Sequence, residues 1–264
     1  LELQMPDVLK VLRSDRVAEV ILNRPDVRNA FNGELMGALI DAFTALGADA
    51  GVHVIVLRGE GPAFCAGADL GWMKQTATWT TAENEADARR LAGLFEAIDA
   101  CPKPVVGQIH GAVRGGGVGL VAACDIPLGS SDATFAFTEV RLGLAPAVIS
   151  PYCVRRIGAA RARELFLTGA TFDAARARDM GLLADIEQSP QALAERVSGT
   201  VSQLLAGGPA ALAACKHLAR TVADLPADEA LATTSALIAR LRASSEAQEG
   251  MRAFLTKDKP SWMK

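Results

Sequence analysis

The sequence predicts an α/β core over residues 1–200, followed by an all-helical segment over 201–264. Three observations carry that fold class. Apolar runs of strand length alternate with stretches of helical periodicity through the first part of the chain. From about Ser189 onward only helical patterns remain. Neither part contains a fixed-period repeat or a low-complexity tail.

In chain order, "VLKVLR" and "VAEVILN" read as two strands joined at Ser14-Asp15-Arg16. A helix follows "RPDVRNA". Asn32 is placed to cap it, and Leu35, Leu39, Phe43 and Leu46 recur at helical spacing. "VHVIVLRG" is nearly continuously apolar, as a strand buried on both faces would be. The polar stretch Gly71 to Asp87 is the least ordered region predicted. A helix carrying Leu91, Phe95 and Ile98 on one face then ends at Cys101-Pro102-Lys103-Pro104. "PVVGQIH" is a fourth strand and leads into a glycine cluster, after which "DIPLG" and "ATFAF" read as short strands. The C-terminal helices are "PQALAERVSGTVSQLLA", broken at Gly207-Gly208-Pro209, then "PAALAACKHLARTVAD", then one long helix from about Ala227 to Gln248.

Composition narrows the function classes. The chain has 264 residues, half of them hydrophobic, which is enough for a sizeable core. Net charge is −3 with no basic block, so binding to nucleic acid through phosphate neutralisation is not expected. No apolar run reaches the length of a membrane span, and the N-terminus lacks a basic-then-apolar signal pattern. A soluble, cytoplasmic protein without membrane partners is the expectation. Five scattered cysteines with no C-x-x-C pair read as reduced thiols, and His53 and His217 read as structural.

The stretch "RGGGVGL", Arg114 to Leu120, concentrates four glycines in five positions. One reading is dinucleotide binding, because Gly117 to Ala122 fits G-x-G-x-x-A and Glu139 lies about 20 residues beyond. Three features oppose it. More than a hundred residues precede the motif, the strand "ATFAF" intervenes before the acid, and the glycines begin two positions early. The other reading uses backbone N–H groups. A glycine turn at a helix N-terminus presents unpaired donors and lets a substrate approach closely, which suits an oxyanion. "GEGPAFCAGADLGWM" is a second strand, small-residue loop and helix start of the same construction. Two such loops facing one another can share one oxygen.

On these residues the chain resembles the enoyl-CoA hydratase/isomerase (crotonase) superfamily from end to end. The matching segments are "VILNRPDVRNAFN", "GPAFCAGADLGWM", "KPVVGQIHGAVRGGGVGLVAACDI", "TFAFTEVRLGLAPA", "FLTGATFDAARARDMGL" and "EGMRAFLTKDKPSW". The resemblance implies a spiral of ββα repeats with a C-terminal segment that drives trimerisation, often into a dimer of trimers. It implies an oxyanion hole from the N–H groups of Ala68 and Gly116, binding the thioester carbonyl of an acyl-CoA. Arg28 and Ala30 would lie along the CoA nucleotide, with Ala66, Asp69 and Leu70 near adenine and pantetheine. Gly117 would join the substrate-binding set. Phe254 and Lys257 resemble contacts to adenine and phosphate, often made by a neighbouring subunit. No cofactor or metal is implied beyond the coenzyme A of the substrate.

The chain departs from the hydratase pattern at one point. Two catalytic glutamates are usual, and the first would stand where this sequence has Gly119; Glu139 matches the second. One carboxylate suffices for a concerted syn addition of water, and also for moving a proton between two carbons in an isomerase. Three functions therefore stay open: a lyase hydrating a short or branched 2-enoyl-CoA, a Δ3,Δ2-enoyl-CoA isomerase, and an acyl-CoA binding protein without turnover. The combination of "GGGVGLVAACDI" with "EVRLGLAPAVISPYCVRRIG" resembles bacterial methylglutaconyl-CoA hydratases of leucine and acyclic-terpene breakdown. A substrate of that kind carries a second carboxylate, for which Arg114, Arg155 and Arg156 are candidate partners.

Overall fold

The computed structural model describes residues 5–263. Strands β1 (Leu9–Ser14) and β2 (Val17–Leu22) form an antiparallel hairpin, and Asp15 takes the left-handed conformation its tight turn needs. Helix α1 (Gly33–Ala48) starts at Asn32, whose side chain accepts the Leu35 N–H, and it buries Leu35, Leu39, Phe43 and Leu46.

β3 (Val54–Gly59), β4 (Val105–Ile109), β6 (Ile126–Ser130) and β9 (Asp185–Glu187) extend the hairpin into a six-stranded sheet, ordered β1-β2-β3-β4-β6-β9 and parallel from β2 onward. Ile55 and Leu57 of β3 face the main core, while Val54 and Val56 face α8 (Pro190–Leu205) through Leu193, Val197 and Val201. Burial on both faces is why that strand is continuously apolar. Helix α8 lies on the sheet and runs across the expected division at residue 200.

A second, smaller sheet orders β5 (Ala112–Arg114), β7 (Thr134–Ala136) and β8 (Phe172–Asp173). Isolated bridges Phe31–Ala68, Ala63–Gly111 and Cys65–Val113 continue this layer. The chain thus repeats a unit. It runs up a strand of the large sheet, crosses to the small layer, and returns through a helix: β4, β5 and α4 (Gly116–Ala123) make the clearest turn of the spiral.

Two expectations are corrected. Gly71 to Asp87 is mostly helical, in α2 (Leu70–Thr76) and the start of α3 (Thr81–Asp99), with a short turn between them. Caps decide this where hydrophobic periodicity is silent. Asp69 accepts the N–H groups of Gly71 and Trp72, and Thr80 and Glu83 form a reciprocal capping box. The segment following the helices α5 (Ser150–Ile157), α6 (Ala159–Thr168), α7 (Ala174–Asp179) and α9 (Pro209–Thr221) is also not one helix. It divides at Ser244 into α10 (Ala227–Ala243) and α11 (Ser245–Thr256), where the serine hydroxyl caps α11 by accepting the Ala247 N–H. Strands β5, β8 and β9, each two or three residues long, are not among the strands the sequence predicts. Among the described residues no helix is long and apolar enough to cross a membrane.

Candidate active site

The loop after β3 is held by the loop before α1. Phe31 donates its N–H to Gly67 O, and Asp69 N–H donates to Phe31 O, at 2.7 and 2.8 Å. Successive backbone groups of extended chain alternate sides, so the Ala68 N–H points away from Phe31. Ala68 is exposed, and among the described residues its N–H has no acceptor.

The glycine loop packs directly on this segment. Arg114 N–H donates to Cys65 O at 2.9 Å, and Gly67 lies against the Arg114 carbonyl. Gly115 has φ +48°, a conformation that favours glycine. A β-carbon at Gly116 would stand 2.8 Å from the Phe31 ring, and one at Gly117 would stand 2.6 Å from Cys65 O. The Gly116 N–H opens helix α4, where first-turn donors have no partner within the helix. The fold therefore brings the Ala68 and Gly116 segments together, as two loops sharing one oxygen require.

Glu139 begins a 3-10 turn, Glu139–Leu142, directly after β7. Its carboxylate lies against Gly115, with Oε1 3.1 Å from where a β-carbon there would be. Oε2 is buried with no hydrogen-bond partner. Burial pushes this carboxyl above its ordinary value, with its own backbone N–H pulling the other way. No ion pair ties Glu139 to Arg141 among the described residues. The position also disfavours the dinucleotide reading, since the acid sits beside the glycines instead of at the end of the next strand.

Other expected residues are placed as follows. Arg28 is exposed with φ +53°, and its carbonyl accepts the Ala66 N–H, while Ala30 is buried. Asp69 is engaged within the protein, as the α2 cap and in a 2.8 Å ion pair with Arg24. Leu70 is 76% exposed, and a cleft of about 470 Å³ lined by Asn32, Asp69, Trp72, Trp79 and Arg90 opens beside it. Phe254 is 84% exposed on α11, and Lys257 ends that helix with φ +55°.

The three arginines considered for a second substrate carboxylate are each engaged elsewhere. Arg114 donates to the carbonyls of Val113 and Thr134 and to the Thr134 hydroxyl. Arg155 pairs with Asp99, and Arg156 donates to the carbonyls of Ala122, Cys124 and Asp125.

Asn29 is a supporting residue that sequence reasoning missed. It is fully buried in the left-handed region; its amide donates to Glu60 O and Ala63 O and accepts the Arg24 N–H. It thereby ties the turn before α1 to the start of the Ala68 loop. An asparagine beside "RPDVR", tolerant of positive φ, was the available signal.

The family profile described as enoyl-CoA hydratase/isomerase matches residues 13–264. The chain belongs to that family. Like its relatives it is an enzyme with the crotonase fold. It is similar to an enoyl-CoA hydratase from Shewanella pealeana, 35% identical over 98% of this chain and 97% of that one, with a TM-score of 0.94. Pseudomonas aeruginosa AtuE is likewise 35% identical over 97% of this chain and all of that one, with a TM-score of 0.94. The 2,3-dehydroadipyl-CoA hydratase of Escherichia coli is 31% identical over 96% of this chain and 98% of that protein.

Proposed function

We propose that this family member adds water to a short or branched 2-enoyl-CoA with Glu139 as its one acid–base residue. The observation that carries the reading is the half-buried Glu139 carboxylate, set against the glycine loop with its Oε2 buried and unpartnered among the described residues. The thioester oxygen accepts the N–H groups of Ala68 and Gly116, which stabilise the charge it gains as the enolate forms. Glu139 takes a proton from the water whose oxygen bonds to the β-carbon, and a proton is returned to the α-carbon on the same face. Its raised proton affinity suits both transfers. The CoA portion would run along Arg28, Ala30, Ala66 and Leu70. Exposed Phe254 and Leu255 support a homotrimer or hexamer in which a neighbour's α11 completes the nucleotide site.

Engagement of Arg114, Arg155 and Arg156 within the protein favours an uncharged acyl group over 3-methylglutaconyl. The test is loss of enoyl-thioester absorbance with crotonyl-CoA and with 3-methylglutaconyl-CoA, Glu139→Gln serving as control. Loss with the wild type alone supports hydration, and the faster ester names the acyl class. Isomerisation of a 3-enoyl-CoA without hydration would select the second reading, which the single carboxylate also allows. Thioester binding with neither reaction would mean a binding protein.

A further inference from the structure

We infer that Ile149 is the residue that holds this site to one carboxylate and forms the acyl-pocket wall beside it. Gly119 lies one helical turn beyond Gly116, on the same side of α4. A β-carbon at position 119 would overlap Ile149 Cγ2, stand 2.8 Å from Phe95 Cε1 and stand 3.0 Å from Ile149 Cβ. The volume a side chain needs there is therefore filled. Isoleucine is stiff at χ1 because it is β-branched, and Ile149 is only 3% exposed within a close-packed interior, so moving its methyl aside is costly.

The segment that carries Ile149 also runs near Glu139. Ile149 immediately precedes α5, and its carbonyl accepts the N–H of Cys153 at 3.0 Å. The buried Cys153 thiol feels the charge of Glu139 and is pushed up chiefly by burial. Gly115 and Gly119, four residues apart on one loop and helix, thus meet Glu139 and Ile149 respectively. A carboxylate lies at one end of this row and a γ-methyl at the other. An acyl chain held by the Gly116 N–H between them meets a proton donor on one side and an apolar wall on the other. The pocket half of this inference rests on the enoyl-CoA reading above; the packing half does not.

The experiment combines melting with kinetics on the full chain. Gly119→Ala, Ile149→Ala and the double variant are melted beside the wild type. Gly119→Ala is expected to lower Tm by about 3–10 °C, and by less than half as much in the Ile149→Ala background. Equal losses in both backgrounds would overturn the packing half. For wild type and Ile149→Ala, kcat/KM is then measured on crotonyl-CoA and on 3-methylcrotonyl-CoA. The ratio in favour of the branched ester is expected to rise about 10-fold, the scale set by a methyl-sized change in an apolar pocket. An unchanged ratio with active enzyme would overturn the pocket half. Turnover of neither ester by the wild type would instead overturn the hydratase reading and take the pocket half with it, while the melting comparison still decides the packing.

Discussion

Asp99 and Glu139 are two carboxylates with opposite surroundings, the first buried and the second half-buried. Asp99, at the end of α3, is 6% exposed and meets two guanidinium groups: it pairs with Arg155, and Arg220 Nε lies 2.8 Å from Oδ2. Arg220 reaches it from α9, so the contact joins the C-terminal helices to the core. Glu139 has neither a cation nor a donor for Oε2. An acid removed from water costs free energy unless it is paired. Where the fold supplies the pair, the acid is structural. Where the fold leaves it out, the cost persists only if something else maintains the residue, and at Glu139 that is the reaction.

The difference can be broken experimentally, first at Glu139. Glu139→Gln is expected to lower kcat/KM for enoyl-CoA hydration by about 10²–10⁴-fold without destabilising the fold. Steady-state kinetics and a thermal melt on the same sample test both halves. A melt that falls as far as activity would mean that Glu139 is structural after all.

Gly116→Ala comes next. Its β-carbon meets the Phe31 ring, and the N–H that opens α4 is displaced. A loss of about 10²-fold in kcat, with KM little changed, is expected from a misplaced oxyanion donor. Asp99→Asn should do the reverse. It weakens two charge-assisted contacts and is expected to cost about 1–3 kcal/mol in denaturant unfolding while kcat is retained.

The smallest effect lies in the pH dependence. The folded Glu139 carboxyl holds its proton more tightly than the unfolded one. Its charge therefore lowers stability as pH rises through the raised value, and this cost vanishes below the unfolded value of about 4.3. Glu139→Gln should melt above the wild type at pH 8 and level with it near pH 4. On the kinetic side, kcat/KM should fall with acid at a pH above the ordinary carboxylate range, as the base becomes protonated. Coincident melts at pH 8 would remove the argument from burial.

Much of this was legible in the sequence where a regular period or a local rule governs. The apolar strands, the Asn32 cap and the two small-residue loops are readable because each depends on residues close in sequence. Gly71 to Asp87 escapes hydrophobic spacing because its helices bury little of their surface there and rest on caps at Asp69 and Thr80. Ser244 divides the last helix with a single hydroxyl, which hydrophobic spacing does not register. The roles of Asn29 and Ile149 depend on partners some 30 residues away, Glu60 and Gly119, and only the folded chain reveals them. Likewise Glu139 could be matched by motif, but its missing partner is a property of space.

The glycine run has a consequence for how this sequence can change. Gly115, Gly116, Gly117 and Gly119 each face a different neighbour: Glu139, Phe31, Cys65 and Ile149. A side chain gained at any one of them crowds a distinct element of the fold, so no single compensating change accommodates two. Lineages crossing this stretch would have to move in matched pairs. In a library randomised over it, second-site revertants of each glycine variant should map to that glycine's own neighbour, tracing the packing around the loop by genetics alone.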